Sequence, residues 1–157
     1  MKTSKTMTLV LCLLLPLAVG GVSGYLTTQE IKGWFATLVK PSFNPPNYLF
    51  GPVWTTLYIL MGISLYLIVQ TPKTDLRQKA LIWFGIQLFL NFWWSIIFFK
   101  FHRLDIALIE ILLMWVSIAA TIHYFKQVKP LAGYLNVPYL CWVSFATILN
   151  TALFLLN

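Results

Sequence analysis

The chain has 157 residues, 59% of them hydrophobic and only 10% charged, with a mean hydropathy of +0.79. A soluble domain carries about a quarter charged residues, and a chain of this length cannot build a core that hides so much apolar surface from water. A water-soluble globule is excluded, and the solvent is lipid. The formal net charge of +7 would point to nucleic acid in a soluble protein, but here Lys and Arg stand between apolar runs rather than in a patch. They read as topology signals, and no nucleic-acid partner is expected.

Charge-free stretches set the segmentation, because a helix crossing the hydrocarbon needs about 20 mainly apolar residues. Five runs qualify: Thr6 to Gln29, Pro41 to Pro72, Ala80 to Phe99, Ile106 to Phe125, which contains Glu110, and Pro130 to Asn157. Unbroken runs of this length fit helices, whose backbone bonds close within the segment, and not the alternating strands of a barrel. The expectation is an all-α integral, multi-pass membrane protein with one domain over residues 1–157 and five transmembrane helices near 6–27, 47–70, 79–100, 105–126 and 131–155.

In the first run, Lys2 and Lys5 ahead of an apolar stretch ending in Gly21, Ser23 and Gly24 resemble a secretory signal peptide. The stretch is longer than the usual apolar region of about 7–15 residues, and Cys12 lacks the small residue that a lipoprotein signal places before it. A retained helix is expected. Its Gly20 and Gly24 form a GxxxG pair, a common motif that equally serves close packing inside one bundle.

The next segment, Thr27 to Asn47, is the one long connection. Trp34, Phe35, Leu38 and Val39 are spaced for a short amphipathic helix ahead of a proline-rich extended turn, and a loop with this much apolar surface is expected to fold back on the bundle as a lid. The other connections, Thr71 to Gln78, Lys100 to Asp105 and Lys126 to Pro130, are short enough to join only antiparallel neighbours. On alternate sides, Lys2, Lys5, Lys73, Arg77, Lys79, Lys126 and Lys129 face Lys32, Lys40, Lys100 and Arg103, which puts the amino terminus inside.

Three of the spans carry stripes at helical spacing. The second has Phe50, Trp54 and Tyr58; the third has Gln87, Asn91 and Ser95 with Trp94 beside them; the fifth has Trp142, Phe145, Ala146, Leu149 and Asn150. Pro138 precedes the last stripe and is expected to kink that helix. At about 1.5 Å per residue, Trp54 and Trp94 lie roughly 9 Å below the loop-one surface and Tyr58 and Asn91 roughly 14–15 Å. Trp142, lying nearer the midplane, and these two tryptophans are thus deep for an interfacial belt. Two readings remain open: a pocket for a flat hydrophobic ligand with a few polar substituents, or a tightly packed aromatic core.

Conventional catalytic chemistry has little to work with. Of four carboxylates, Glu30, Asp75 and Asp105 lie in loops; no nucleophile–base pair, metal cluster or phosphate loop is apparent. His102 and His123 read as interfacial residues, and Cys12 and Cys141 as small hydrophobes, so no metal site is expected. Glu110 has two readings, an intramembrane functional acid or a side chain that reaches water or a backbone partner.

The run from Trp34 to Gly62, with Lys40-Pro41-Ser42-Phe43-Asn44-Pro45-Pro46, Phe50-Gly51-Pro52-Val53-Trp54 and Leu57-Tyr58, resembles the signature of the translocator protein family, also called tryptophan-rich sensory proteins or peripheral-type benzodiazepine receptors. Two further blocks agree, Gln87-Leu88-Phe89-Leu90-Asn91-Phe92-Trp93-Trp94-Ser95 and the segment from Pro138 to Asn150. The resemblance, to bacterial-type members, covers the chain in order. It implies a five-helix bundle, usually a homodimer, that binds protoporphyrin or haem as ligand and, in some members, cholesterol and benzodiazepine-type compounds. It also implies light-dependent porphyrin breakdown in bacterial relatives, attributed to two tryptophans matching Trp54 and Trp142. By the same alignment Pro46, Phe50, Tyr58, Gln87, Asn91, Trp94, Phe145, Ala146 and Leu149 fall on ligand-binding positions. Two departures limit the transfer. A loop-one tyrosine of some porphyrin-degrading relatives is Phe35 here, and the carboxyl-terminal cholesterol motif is missing from Thr151–Asn157.

The expected function is therefore a membrane receptor for tetrapyrroles and other flat hydrophobic ligands, in porphyrin homeostasis or stress sensing, with no obligatory cofactor. The macrocycle would lie against Trp54 and Trp142, be oriented by Gln87, Asn91 and Tyr58, and be covered by the first loop. The alternatives are a porphyrin or lipid transporter, a photochemical enzyme acting through Trp54 and Trp142, and a passive structural or chaperone-like membrane protein.

Overall fold

The structure, a computed structural model, describes residues 4–157; Lys2, counted in the orientation argument, lies outside them. Among the described residues all regular structure is helical. The elements are α1 (Lys5–Lys32), α2 (Trp34–Thr37), α3 (Asn47–Val69), α4 (Asp75–Ser95), which continues as one π-helical turn (Ile96–Lys100), α5 (Leu104–Val128), α6 (Pro130–Tyr134) and α7 (Val137–Leu156). Five helical stretches are long and apolar enough to cross a membrane: α1, α3, α4 with its π turn, α5, and α6 with α7. Large apolar side chains such as Leu14, Phe89, Ile109, Ile148 and Leu155 face outward, as a lipid solvent allows.

The helices form a ring in which α1 packs on α3 and α4, α4 on α5, α5 on α7, and α6 on α3. The α1–α3 crossing is close because Gly62 has no side chain: a Cβ there would stand 2.7 Å from Leu13 Cα and 2.9 Å from the Cys12 carbonyl oxygen. That carbonyl is the one Pro16 cannot bond, since proline has no N–H to offer four residues on. The ring of Tyr58 likewise lies where a side chain on Gly20 would be, so one glycine of the GxxxG pair does serve close packing.

Helix ends are set by local chemistry. Thr74 caps α4, its hydroxyl accepting from the Arg77 N–H at 3.1 Å, and the Arg77 guanidinium donates to the Val69 carbonyl at 3.1 Å, closing the end of α3. The fifth span is not one kinked helix. Pro138 falls in the first turn of α7, and Leu135 and Asn136 separate it from α6. The break frees the Ala132 carbonyl, which in hydrocarbon needs a partner; Ser64 donates to it at 2.7 Å and the Asn136 amide at 2.9 Å, while Asn136 also bonds Ser64 at 2.6 Å.

The long connection is shorter than the sequence predicts, because α1 continues to Lys32. From α2 onwards the connection crosses the end of the bundle and is fastened at three places. Trp34 stacks on His102 with centroids 4.3 Å apart, and His102 bonds Glu30 at 3.0 Å. Phe35, 4% exposed, sits against Phe98 and Phe99. The Asn157 amide pairs with Val39, accepting from its N–H at 2.9 Å and donating to its carbonyl at 3.0 Å. His102 holds a φ of 55°, a strained value for a residue with a side chain, worth about 1–3 kcal/mol, which these contacts offset.

The α1–α3 crossing is open to test. Gly62→Leu is expected to lower stability in detergent by about 1–3 kcal/mol, the usual effect of overpacking. Gly85→Leu, where a Cβ meets nothing within 4 Å, should leave the unfolding transition in place.

Candidate functional site

On the loop-one side of that crossing, α1, α3, α4 and α7 surround a cavity of about 510 Å³. This lies within the roughly 300–1,000 Å³ usual for small-molecule pockets. The third span contributes Asn91, Trp94 and Ser95, then Phe98 and Phe99 from its widened π turn; such turns recur at functional sites. From α3 come Phe50, Trp54 and Tyr58, and from α7 Trp142, Ala146, Leu149, Asn150 and Leu153. Phe35 closes the end beneath the lid. Among the described residues no Asp, Glu, Lys, Arg or His stands on the wall.

The wall is stiffened by hydrogen bonds that consume most of its polar groups. Tyr58 donates to Asn91 Oδ1 at 2.7 Å, and Asn91 Nδ2 donates to the Tyr139 hydroxyl at 3.0 Å, so one amide joins α3, α4 and α7. Trp94 Nε1 donates to Asn150 Oδ1 at 3.3 Å, and Asn150 Nδ2 donates to the Leu104 carbonyl at 3.0 Å. Trp54 stacks on Tyr58, centroids 5.5 Å apart at 26°, and Phe50 meets Trp142 edge-on at 5.9 Å. By contrast the Trp142 Nε1–H is buried without a partner among the described residues.

Eight of the eleven predicted ligand-binding residues line this cavity: Phe50, Trp54, Tyr58, Asn91, Trp94, Trp142, Ala146 and Leu149. Three do not. Pro46 is exposed just ahead of α3, Phe145 stands behind Trp142 and touches Phe43, and Gln87 is buried one turn beyond Asn91, below the layer formed by Tyr58, Asn91 and Tyr139. The orienting role expected of Asn91 and Tyr58 also changes, since each is already bonded to the other.

Sequence reasoning missed the α1 wall. Leu17, Gly20, Gly21, Ser23, Gly24, Thr27, Thr28 and Ile31 all line the cavity. The signal was the run of small residues, but a glycine facing a helix and a glycine facing a hole look alike in sequence; Gly24 faces open space, with nothing within 4 Å of a Cβ built there. Exposed Gly21, Gly24 and Thr28 on α1 stand opposite exposed Asn47, Gly51 and Thr55 on α3, so the open side of the cavity lies between these two helices, where lipid would be.

This arrangement coincides with a known family whose model, described as TspO/MBR, matches residues 12–156. The chain belongs to the TspO/MBR family. It is 43% identical over 152 residues to the tryptophan-rich protein TspO of Chlorobaculum tepidum, covering 96% of each chain. With the translocator protein of Homo sapiens it shares 43% identity over 120 residues, 74% of this chain and 70% of that one. With the tryptophan-rich sensory protein of Cereibacter sphaeroides it shares 38% over 124 residues, 79% and 77% of the two chains. Family membership and five apolar helices make it an integral, multi-pass membrane protein.

The division between wall and interior predicts opposite responses to two similar substitutions. Asn91→Leu removes the partner of two buried hydroxyls and should cost about 1–3 kcal/mol. Gln87→Leu removes an amide whose atoms have no partner among the described residues and should be neutral or stabilising. Denaturant unfolding in detergent reads both.

Proposed function

We propose that this TspO/MBR protein is a membrane receptor for tetrapyrroles such as protoporphyrin or haem, taken up into the cavity beneath the first loop. The observation that carries the reading is an uncharged cavity of about 510 Å³ faced by Trp54, Trp94, Trp142 and Phe50. A flat macrocycle gains affinity from ring burial and stacking in such a site. Acidic substituents would turn to the lid end, where Lys40 Nζ stands 4.9 Å from the Phe35 ring centroid. The opening between α1 and α3 would admit a hydrophobic ligand from the bilayer. The transporter reading needs a second access state, whereas a receptor needs only the opening between α1 and α3.

Trp54 and Trp142 both line the cavity, so a bound, photoexcited porphyrin would lie beside two oxidisable indoles. This supports the light-dependent breakdown as a second activity of the same site.

The test is tryptophan fluorescence of the purified protein, titrated with protoporphyrin in the dark. Saturable quenching near one ligand per chain is expected, weakened in the Trp54→Phe, Trp142→Phe double variant. Linear quenching equal in both proteins would mean partitioning into detergent and would end the receptor reading. Gly24→Leu puts a side chain into the cavity from open space and should abolish saturation while leaving stability within about 0.5 kcal/mol. Illumination then separates the second activity: bound porphyrin should bleach faster than porphyrin in empty micelles, and equal rates would remove it.

A further inference from the structure

Glu110, on α5, is 7% exposed, and neither of its carboxyl oxygens has a hydrogen-bond partner among the described residues. An ionisable side chain inside a span is costly enough to call for a use, and the cavity does not employ it. A chain of hydrogen bonds leads from the cavity wall to its neighbourhood. Tyr58 donates to Asn91, Asn91 to Tyr139, and the Tyr139 hydroxyl to Met114 Sδ at 3.5 Å. Met114 is one turn beyond Glu110 on the same face of α5, and helical side chains lean towards the amino terminus, so the thioether stands over the Glu110 turn.

We propose that Glu110 is a proton-binding site coupled to the cavity: its proton decides whether Tyr139 donates to Met114 or to the Glu110 carboxylate, and Asn91 passes the change to Tyr58 and Trp54. A thioether is a weak acceptor, whereas a carboxylate accepts on both oxygens and strongly. Loss of the proton to water therefore draws the phenol O–H across to Glu110; its return restores the bond to Met114, the arrangement in this structure. Nothing is oxidised, and only the proton is exchanged. Because Asn91 Nδ2 is bonded to the same phenol oxygen, the amide follows that movement. Its other end holds Tyr58, on which Trp54 is stacked.

Few other charges compete for the site. From Ala80 to Ser95 α4 has no Asp, Glu, Lys, Arg or His, and neither has any of α7. Lys100 at the end of the π turn, Tyr134 on α6 and Cys141 on α7 are exposed, as is His123 on α5 itself. Asp105 is paired with Arg103 at 2.7 Å at the helix end. Among the described residues, Tyr139 and, beyond Asn91, Tyr58 are the titratable groups joined in this hydrogen-bonded chain.

The test uses the whole protein without ligand, so its outcome is independent of the tetrapyrrole reading. The Glu110 carboxyl C=O stretch is followed by infrared spectroscopy across pH, assigned by its loss in Glu110→Gln or its displacement in Glu110→Asp. Tryptophan emission is recorded on the same samples, the Trp54 part being identified with Trp54→Phe. The Glu110 band and the Trp54 emission are expected to change with one midpoint. In Tyr139→Phe the carboxyl should still titrate while the emission change is lost. The proposal is overturned by a Glu110 band that does not titrate over the pH range of the folded protein, by one that titrates while Trp54 stays silent, or by an emission change that survives in Tyr139→Phe.

Discussion

The bridge from Tyr58 through Asn91 to Tyr139 is the contact on which the rest of the interior depends, because it ties α3, α4 and α7 together where no water competes for the bonds. A carboxamide offers one acceptor and two donors, and here an oxygen and a nitrogen of one side chain each meet a phenol from a different helix. Breaking either bond would leave a buried hydroxyl unpaired, at about 1–3 kcal/mol. The three helices are thereby held at a fixed spacing. On one side of this layer lies the cavity with Trp54 and Trp142; on the other lies Gln87, buried and outside it.

Around that layer the chain repeatedly breaks helical regularity, and hydrocarbon demands that each break be repaired from within. At Pro16, which offers no N–H to the Cys12 carbonyl, α3 packs close through Gly62. Before Pro138 the freed Ala132 carbonyl is taken up by Ser64 and Asn136. Beyond Ser95 a π turn carries Phe98 and Phe99 into the cavity end, and Phe35 of the first loop packs against both. These irregularities let helices that touch at one end stand apart at the other. A cavity inside a narrow five-helix bundle requires such splaying, since parallel close packing would fill it.

The lid shows the same economy of contacts. Apolar side chains of the first loop cannot remain in water, yet the loop has too few residues to form a core of its own. It borrows the bundle's, through Trp34 on His102, Phe43 on Phe145 and the Asn157 amide on Val39. Loop and helix ends are therefore joined as one layer over the cavity, while the side between α1 and α3 is walled by glycine and threonine.

Much of this was legible in the residues themselves. Long charge-free runs determined the five spans, because lipid leaves the backbone no choice but a helix, and the four-residue spacing of Phe50, Trp54 and Tyr58 determined which face they share. Trp94, Trp142, Ala146 and Leu149, picked out by the same spacing, line the cavity. Spacing, however, defines a direction around a helix and not what stands opposite. Gln87 and Asn91 share a face, yet one lines the cavity and the other lies beneath its floor; Gly20 meets a ring, whereas Gly24, one turn on, meets open space. Pro138 announced a break without saying that Asn136 and Ser64 would repair it. Those outcomes were decided by tertiary structure, because they depend on how far apart two helices stand at a given depth, a distance that is the joint result of the Gly62 crossing, the Asn91 bridge and the repaired breaks.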